Sequence, residues 1–251
     1  EVWRGLRRSH PAYIMPVLNV IQSYALGSGH AGLAASEQAD GPIHNVSMAE
    51  KLSAKLPNCP QGTNMKTGRE MTEGNVNVES FAALLGRVCR RAAPGADIYR
   101  KFVDLGSGRG HAVLAAHALF PFRACIGCEL VPELVRVSKE AARTYVESGL
   151  AFYALSRVDP ANLFLQGDFF QDLNWSDASI VFANALTFPK HLIKALGQQA
   201  LRLRSGAVFI IAVKPLPNDD HALLEAFDVR GEAVIMGFMQ HACRLWAYQR
   251  R

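Results

Sequence analysis

The chain has 251 residues, 49% hydrophobic and 20% charged, and 27 basic against 22 acidic side chains leave a formal charge of +5. This length suits one large domain or two small ones with a buried core, and the apolar content excludes a wholly disordered chain. The longest unbroken apolar run, Ala207 to Val213, is far short of the ~20 residues that a membrane-spanning helix needs, so no membrane partner is expected.

The sequence opens without an initiator Met or a signal-peptide layout and reads as a piece of something longer. Residues 1–70 are expected to form a mainly helical and looped segment, set apart from a ligand-binding domain over 71–251. In that segment a helix is predicted through Tyr13–Tyr24. A Gly/Ala/Ser-rich loop follows from Gly27 to Ser47, and Ser47, with Glu50 three residues on, begins a second helix. Val76–Arg91 is helical by spacing: Val78, Phe81, Leu84, Leu85 and Val88 share a face, while Arg87, Arg90 and Arg91 crowd the last turn. Residues 1–101 carry 12 basic and 8 acidic side chains, so +4 of the +5 lies there. That excess is either a solvated surface or a docking face for an acidic polymer such as nucleic acid.

From Ile98 onward, short apolar runs alternate with longer helical ones. Strands are predicted at Lys101–Leu105, Ala124–Glu129, Leu163–Gln166, Ser179–Asn184 and Val208–Val213. Helices are predicted at His111–Leu119, Pro132–Ser148 and Pro189–Arg204. Such alternation implies an α/β fold with a doubly wound, mostly parallel sheet, and the runs Glu232–Met239 and Cys243–Arg250 add a final antiparallel hairpin.

Four strand ends carry polar motifs. The first is Phe102-Val103-Asp104-Leu105-Gly106-Ser107-Gly108-Arg109-Gly110, a strand running through a glycine turn into a helix. Glycines there let the backbone approach a ligand that a Cβ would block, and a helix N-terminus offers N–H groups. The third glycine comes one residue too early for a dinucleotide fingerprint. The spacing, with its preceding acid, instead resembles class I S-adenosylmethionine methyltransferases. Glu129 ends the next strand, where an acid can accept both ribose hydroxyls of a nucleoside; a solvated strand-end carboxylate is the plainer alternative. Gln166-Gly167-Asp168-Phe169-Phe170 follows a third strand. Asp168 can take an adenine amino hydrogen and Phe169 can stack on the ring, though a loop acid beside core aromatics would look the same. Asn184, polar at the end of an apolar run, can face the ligand's carboxylate end or an acceptor amine, or merely cap a loop.

Cys125 and Cys128 are read as buried strand cysteines facing opposite ways, and no metal is expected. Five cysteines at irregular spacing fit a reducing compartment.

Together these motifs resemble the disruptor-of-telomeric-silencing histone methyltransferases, the non-SET (Dot-one type) enzymes. Val103–Gly110 matches that family's Val-Asp-Leu-Gly-Ser-Gly-x-Gly, Glu129 its ribose acid, and Gly167-Asp168-Phe169 its adenine motif. Ala183-Asn184-Ala185-Leu186-Thr187-Phe188 matches its acceptor loop in part, and Lys214-Pro215 its Lys-Pro after the fifth strand. The likeness spans roughly residues 70–215. Departures fall mainly on the acceptor side. Glu73-Gly74-Asn75-Val76 stands for a Tyr-Gly-Glu loop, Ala185 and Leu186 replace an Asn and a Phe, and His111 replaces a glutamine. Arg109 takes the place of a small residue and is expected to point outward.

The resemblance implies the class I S-adenosylmethionine methyltransferase fold, with a seven-stranded sheet, over a catalytic domain at 71–251. It implies S-adenosylmethionine as cofactor, S-adenosylhomocysteine as product, and methylation of a lysine in the globular core of histone three. Glu73, Gly74, Asn75, Val76, Asp104, Gly106, Ser107, Gly108, Gly110, His111, Glu129, Gly167, Asp168, Phe169 and Asn184 would bind the cofactor. Asn184 and Phe188 would serve the acceptor lysine. No general base is expected, and His111 is read as a satisfied helix-start histidine. The expected setting is the nucleus, acting as a monomer on the nucleosome, with Arg87, Arg90, Arg91, Arg100 and Lys101 holding its DNA. A methyltransferase for RNA, another protein or a small molecule stays open, as does a silent cofactor-binding chromatin adaptor.

Overall fold

The computed structural model describes residues 78–92, 97–236 and 241–251, with the backbone alone at Glu79 and across 230–243. The elements expected within residues 1–70, the 70/71 boundary and the Glu73–Val76 loop lie outside the described residues.

Five strands run parallel: β1 (Phe102–Leu105), β2 (Cys125–Glu129), β3 (Phe164–Gln166), β4 (Ile180–Asn184) and β5 (Val208–Ala212). Each lies within one residue of its predicted span. The hairpin strands β6 (Phe227–Met236) and β7 (His241–Arg250) close the sheet antiparallel, in the order β3-β2-β1-β4-β5-β7-β6. A seven-stranded sheet in this order, with β7 reversed between β5 and β6, is the class I S-adenosylmethionine methyltransferase fold. Both hairpin strands start earlier than the apolar runs suggest. Asp228 and Arg230 interrupt the apolar pattern, but ladder pairing with β7 holds the extended backbone through them.

Among the described residues five α-helices cover the sheet: α1 (Val78–Arg91), α2 (His111–Leu119), α3 (Pro132–Glu147), α4 (Lys190–Ala200) and α5 (His221–Ala226). Strand periodicity divides the apolar side chains between two cores. Phe102, Phe182 and Ile210 face α1, α2 and α3, while Val103, Val181, Phe209 and Ile211 face α4 and α5. Phe81 of α1 packs against Phe102 at 6.1 Å and Phe182 at 4.9 Å. Truncating such a residue to alanine costs about 3–5 kcal/mol. All nine residues of α2 are buried, as expected of a helix apolar on every side.

Two helices also differ from expectation. α4 stops at Ala200, not Arg204, because the Arg202 and Leu203 N–H groups turn back to Gln199 and Ala200 in tight i→i−3 bonds. α5, six residues long, is too short to show a period; Asp220 caps it, its side chain accepting the Leu223 N–H. Beyond β5, Val213 has φ 72, and the Lys214 N–H donates to Ala212 O at 2.9 Å to close a γ-turn. A β-branched residue held there costs roughly 1–3 kcal/mol.

Candidate functional site

The strand order reverses between β1 and β4, so the loops leaving these strands and those of β2 and β3 open on one crevice. All four polar motifs lie on those loops. Gly106, Gly108 and Gly110 have φ of 76, 53 and 84, the left-handed region that only glycine enters freely. The turn is fastened to β2: the Gly106 and Ser107 N–H groups donate to Cys128 O at 2.9 and 3.1 Å, and the Gly108 N–H donates to Glu129 Oε2 at 2.9 Å. The other Glu129 oxygen accepts the Val131 N–H at 2.9 Å. Glu129 is thus nearly buried and bridges the glycine turn to the start of α3. A carboxylate has about four acceptor sites, so two remain for a ligand's hydroxyls.

Gly110 answers to packing as well. A Cβ there would lie 2.3 Å from Phe164, closing the third glycine position from beneath. Gly127, which sequence reasoning did not single out, performs a similar part in β2. Its Cβ would lie 2.7 Å from Ser107 Oγ and 2.8 Å from Val113. The available signal was a glycine inside an otherwise apolar strand, which marks close backbone approach.

Several buried polar groups surround the turn. Asp104 is 3% exposed, and burial, with the Glu129 carboxylate adding to it, pushes its carboxyl well above the usual range. Among the described residues, Ser107 Oγ and His111 Nε2 are buried and have no hydrogen-bond partner. His111 therefore is not the satisfied helix-start histidine expected: α2 is covered on every side and carries its first residue inward. Burial, then the neighbouring Arg109 guanidinium, lower its imidazole to about 4, leaving it neutral at physiological pH. Arg109 is half-buried.

The third motif is a self-capped turn. Asp168 Oδ1 accepts the Phe170 N–H at 2.8 Å, and the Asp168 N–H donates to Asp172 Oδ2 at 2.8 Å. Asp172 was also missed; it occupies the space that a Cβ on Gly167 would need. The Gly167 N–H donates to Glu129 O at 3.0 Å, joining this turn to β2. The fourth motif reaches across to the others. The Phe188 ring lies 3.1 Å from where a Gly106 Cβ would be, and its centroid is 6.1 Å from that of Phe169. Asn184, half-buried, accepts the Leu186 N–H on Oδ1 at 3.4 Å, and Leu186 is 45% exposed beside it. Lys214 Nζ donates to Phe188 O at 2.7 Å.

A Cβ-less turn, two carboxylates, an unmatched hydroxyl and imidazole, and two aromatic rings on one crevice suit a nucleoside with polar ends. Among the described residues no group of His, Cys, Asp or Glu could hold a metal ion, and no helix is long and apolar enough to cross a membrane. Cys125 and Cys128 are buried thiols pushed up to about 12 by burial, and Cys128 Sγ donates to Gly167 O at 3.3 Å.

The basic stretch is divided. Arg90 and Arg100 are exposed and Arg87 is half-buried. Lys101, expected to meet DNA, instead donates to Asn174 O and Asp177 Oδ1, each at 2.8 Å, with its side chain 12% exposed. Its position next to β1 draws it into this ion pair with Asp177, whose side chain is 44% exposed.

Solved structures share features with this chain. TrmN from Thermus thermophilus is 18% identical over 68% of this chain and 48% of its own, TM-score 0.41, so the chain spans about half of TrmN's length. Magnesium protoporphyrin IX methyltransferase (ChlM) from Synechocystis PCC 6803 with bound SAM is 13% identical over 73% and 88%, TM-score 0.46. A precorrin-6y C5,15-methyltransferase from Geobacter metallireducens GS-15 is 15% identical over 68% and 87%, TM-score 0.44. No curated protein matches the sequence. The model of the family described as histone methylation protein DOT1 matches residues 65–234, about two thirds of the sequence and all four motifs, and the chain belongs to that family.

Proposed function

We propose that the protein transfers a methyl group from S-adenosylmethionine to a lysine in the globular core of histone three on the nucleosome, acting in the nucleus as a chromatin regulator. The observation that carries this reading is the seating of Phe188, from the acceptor loop, against Gly106 of the donor turn and beside Phe169 of the adenine motif. Family membership supplies the histone.

When bound, S-adenosylmethionine supplies an already activated sulfonium methyl. The protein's part is then alignment and exclusion of water. Glu129 holds the ribose hydroxyls with the acceptor sites left over from Gly108 and Val131. Asp168 keeps its second oxygen for the adenine amino group while Phe169 offers a ring face. Ser107 and His111 bring unmatched polar atoms to the turn. On the acceptor side, Phe188 and Leu186 form an apolar wall. A lysine with an ordinary pKa near 10.4 must lose a proton before it can attack, and an apolar wall favours the neutral amine by desolvation. Asn184 orients that amine. Arg90 and Arg100 give the surface its exposed positive charge for DNA.

The test is mass spectrometry of nucleosomes incubated with the protein and S-adenosylmethionine. Methylation of a lysine in the core of histone three is expected. Transfer to RNA or free protein but not to nucleosomes would replace the substrate. Ordinary binding of S-adenosylmethionine with no transfer to any acceptor would make the protein a silent adaptor.

A further inference from the structure

The carbonyl of Phe188 lies just ahead of the α4 cap, Pro189, and outside the helical ladder. The following residue, Pro189, has no N–H, and the first helical donors, Leu192 N–H and Ile193 N–H, run to Pro189 O at 3.0 and 3.2 Å. The donor that reaches Phe188 O is the Lys214 ammonium, at 2.7 Å in a partly buried setting. Lys214 is brought there by strained backbone. The γ-turn at Val213, φ 72, reverses the chain straight after β5, and the Val213 N–H is fixed to Arg244 O of β7 at 3.0 Å. Pro215 then confines Lys214 to extended conformations. The other end of the loop is tied to the same place, since the Ala185 N–H donates to Ala212 O at 3.2 Å. Two tethers, two residues apart on β5 and its turn, thus grip both ends of the loop that carries Phe188. Val213 itself packs against the core on the α1–α3 side of the sheet, and the strain held there aims the side chain of the next residue.

We infer that Lys214 is a positioning residue for methyl transfer: its ammonium fixes the 184–189 loop so that Phe188 stands against Gly106 and Phe169, setting the approach of acceptor to donor. This rests on the function proposed above. Misplacement by about 1 Å in such a site can cost a hundredfold in rate, so loss of the tether should lower kcat by more than it weakens donor binding.

The experiment compares wild type with Lys214→Met, Lys214→Arg and Lys214→Gln by three measurements. These are amide hydrogen exchange read by mass spectrometry, S-adenosylmethionine binding by calorimetry, and methyl transfer to nucleosomes. For Lys214→Met, exchange should quicken at least tenfold across Leu186–Phe188 and stay unchanged across Val181–Ala183. The S-adenosylmethionine Kd should rise no more than the several-fold expected from loss of the Phe188 ring, and kcat should fall at least tenfold and by more than binding does. Lys214→Arg, which keeps a cationic donor, should recover most of the loop protection and of kcat. If Lys214→Met does not fold, Lys214→Gln, which keeps a shorter neutral donor, must show the same pattern in weaker form. Unchanged exchange in the loop would overturn the inference, as would quickened exchange with unchanged kcat. Equal loss of donor binding and kcat would also overturn it. If wild type transfers no methyl to nucleosomes, the proposed function fails, and the exchange pattern alone then decides whether the tether exists.

Discussion

The Oε2 of Glu129 accepts the Gly108 N–H at 2.9 Å, so the acid expected to hold a ribose also holds the glycine turn. Its Oε1 does the same for Val131. Glu129→Ala should therefore weaken S-adenosylmethionine binding at least tenfold and also lower Tm. Each buried N–H left unpaired costs about 1–3 kcal/mol, and a domain of this size loses about 2–4 °C per kcal/mol. Glu129→Gln is the sharper variant. Its amide nitrogen must face one of the two N–H donors, so it should lose nearly as much Tm as alanine. Calorimetry and thermal unfolding read both effects, and a glutamine variant as stable as wild type would contradict the two-acceptor clamp.

His111 gives a pH dependence with a definite sign. Its folded pKa, about 4, lies below the ordinary 6.5, so the unfolded chain binds more protons between those values. Stability is fully present above pH 6.5 and declines as pH falls toward 4, by about 3 kcal/mol in order of magnitude. His111→Gln should flatten that part of the profile in urea unfolding. A smaller slope should remain from His117, also lowered by burial. An unchanged profile would show that His111 is not buried neutral.

Asp104 has the opposite sign. Its carboxyl is raised by burial and by Glu129, so the stability associated with its protonated form is lost as pH rises through the folded value. Asp104→Asn should be more stable than wild type at pH 7.5, with the advantage shrinking toward pH 4. Donor binding should fall, because a buried acid beside the glycine turn is an expense that stability alone would not retain. Stability curves at the two pH values check the first part and calorimetry the second.

Exposed and internal basic residues should separate on salt titration. Arg90→Glu with Arg100→Glu should weaken nucleosome binding and reduce the slope of log affinity against log salt by about 0.9 for each phosphate contact removed. Lys101→Met should leave that slope unchanged while lowering Tm by about 2–4 °C for each kcal/mol lost. Its ammonium belongs to Asp177 and Asn174. A slope that changes with Lys101 and not with the arginines would reverse the assignment.

The strands were legible because they are buried on both faces and read as unbroken apolar runs such as Val208–Ala212. The glycine turn was legible because three left-handed positions demand three glycines. Side-chain company was less so. Nothing in the spacing says that Lys101 turns inward to Asp177, 76 residues on, or that Asp172 braces Asp168, since those partners meet only once the strands are ordered. The burial of His111 was hidden for a related reason: a helix start is ordinarily wet, and only the covering of α2 on all sides makes this one dry. Gly127 was visible as a residue but not as a role, because its neighbour Ser107 comes from another strand's loop.

Phe188 touches both halves of the site, so its removal should be felt on both. Phe188→Ala is expected to weaken S-adenosylmethionine binding several-fold and to lower kcat as well, since its ring meets Gly106 and Phe169. In a double-mutant cycle with Phe169→Ala the losses in binding should fall short of additive, with a coupling of about 0.5–1.5 kcal/mol for the aromatic pair. Asn184→Ala should behave differently. Its carboxamide ends β4 on the acceptor side, so the donor Kd should stay within about twofold while methyl transfer drops at least tenfold, ~1.4 kcal/mol in the barrier. If Asn184→Ala loses donor binding and transfer equally, its side chain belongs with the donor's contacts. If the two phenylalanines prove strictly additive, the contact between the adenine motif and the acceptor loop has no part in holding the ligand.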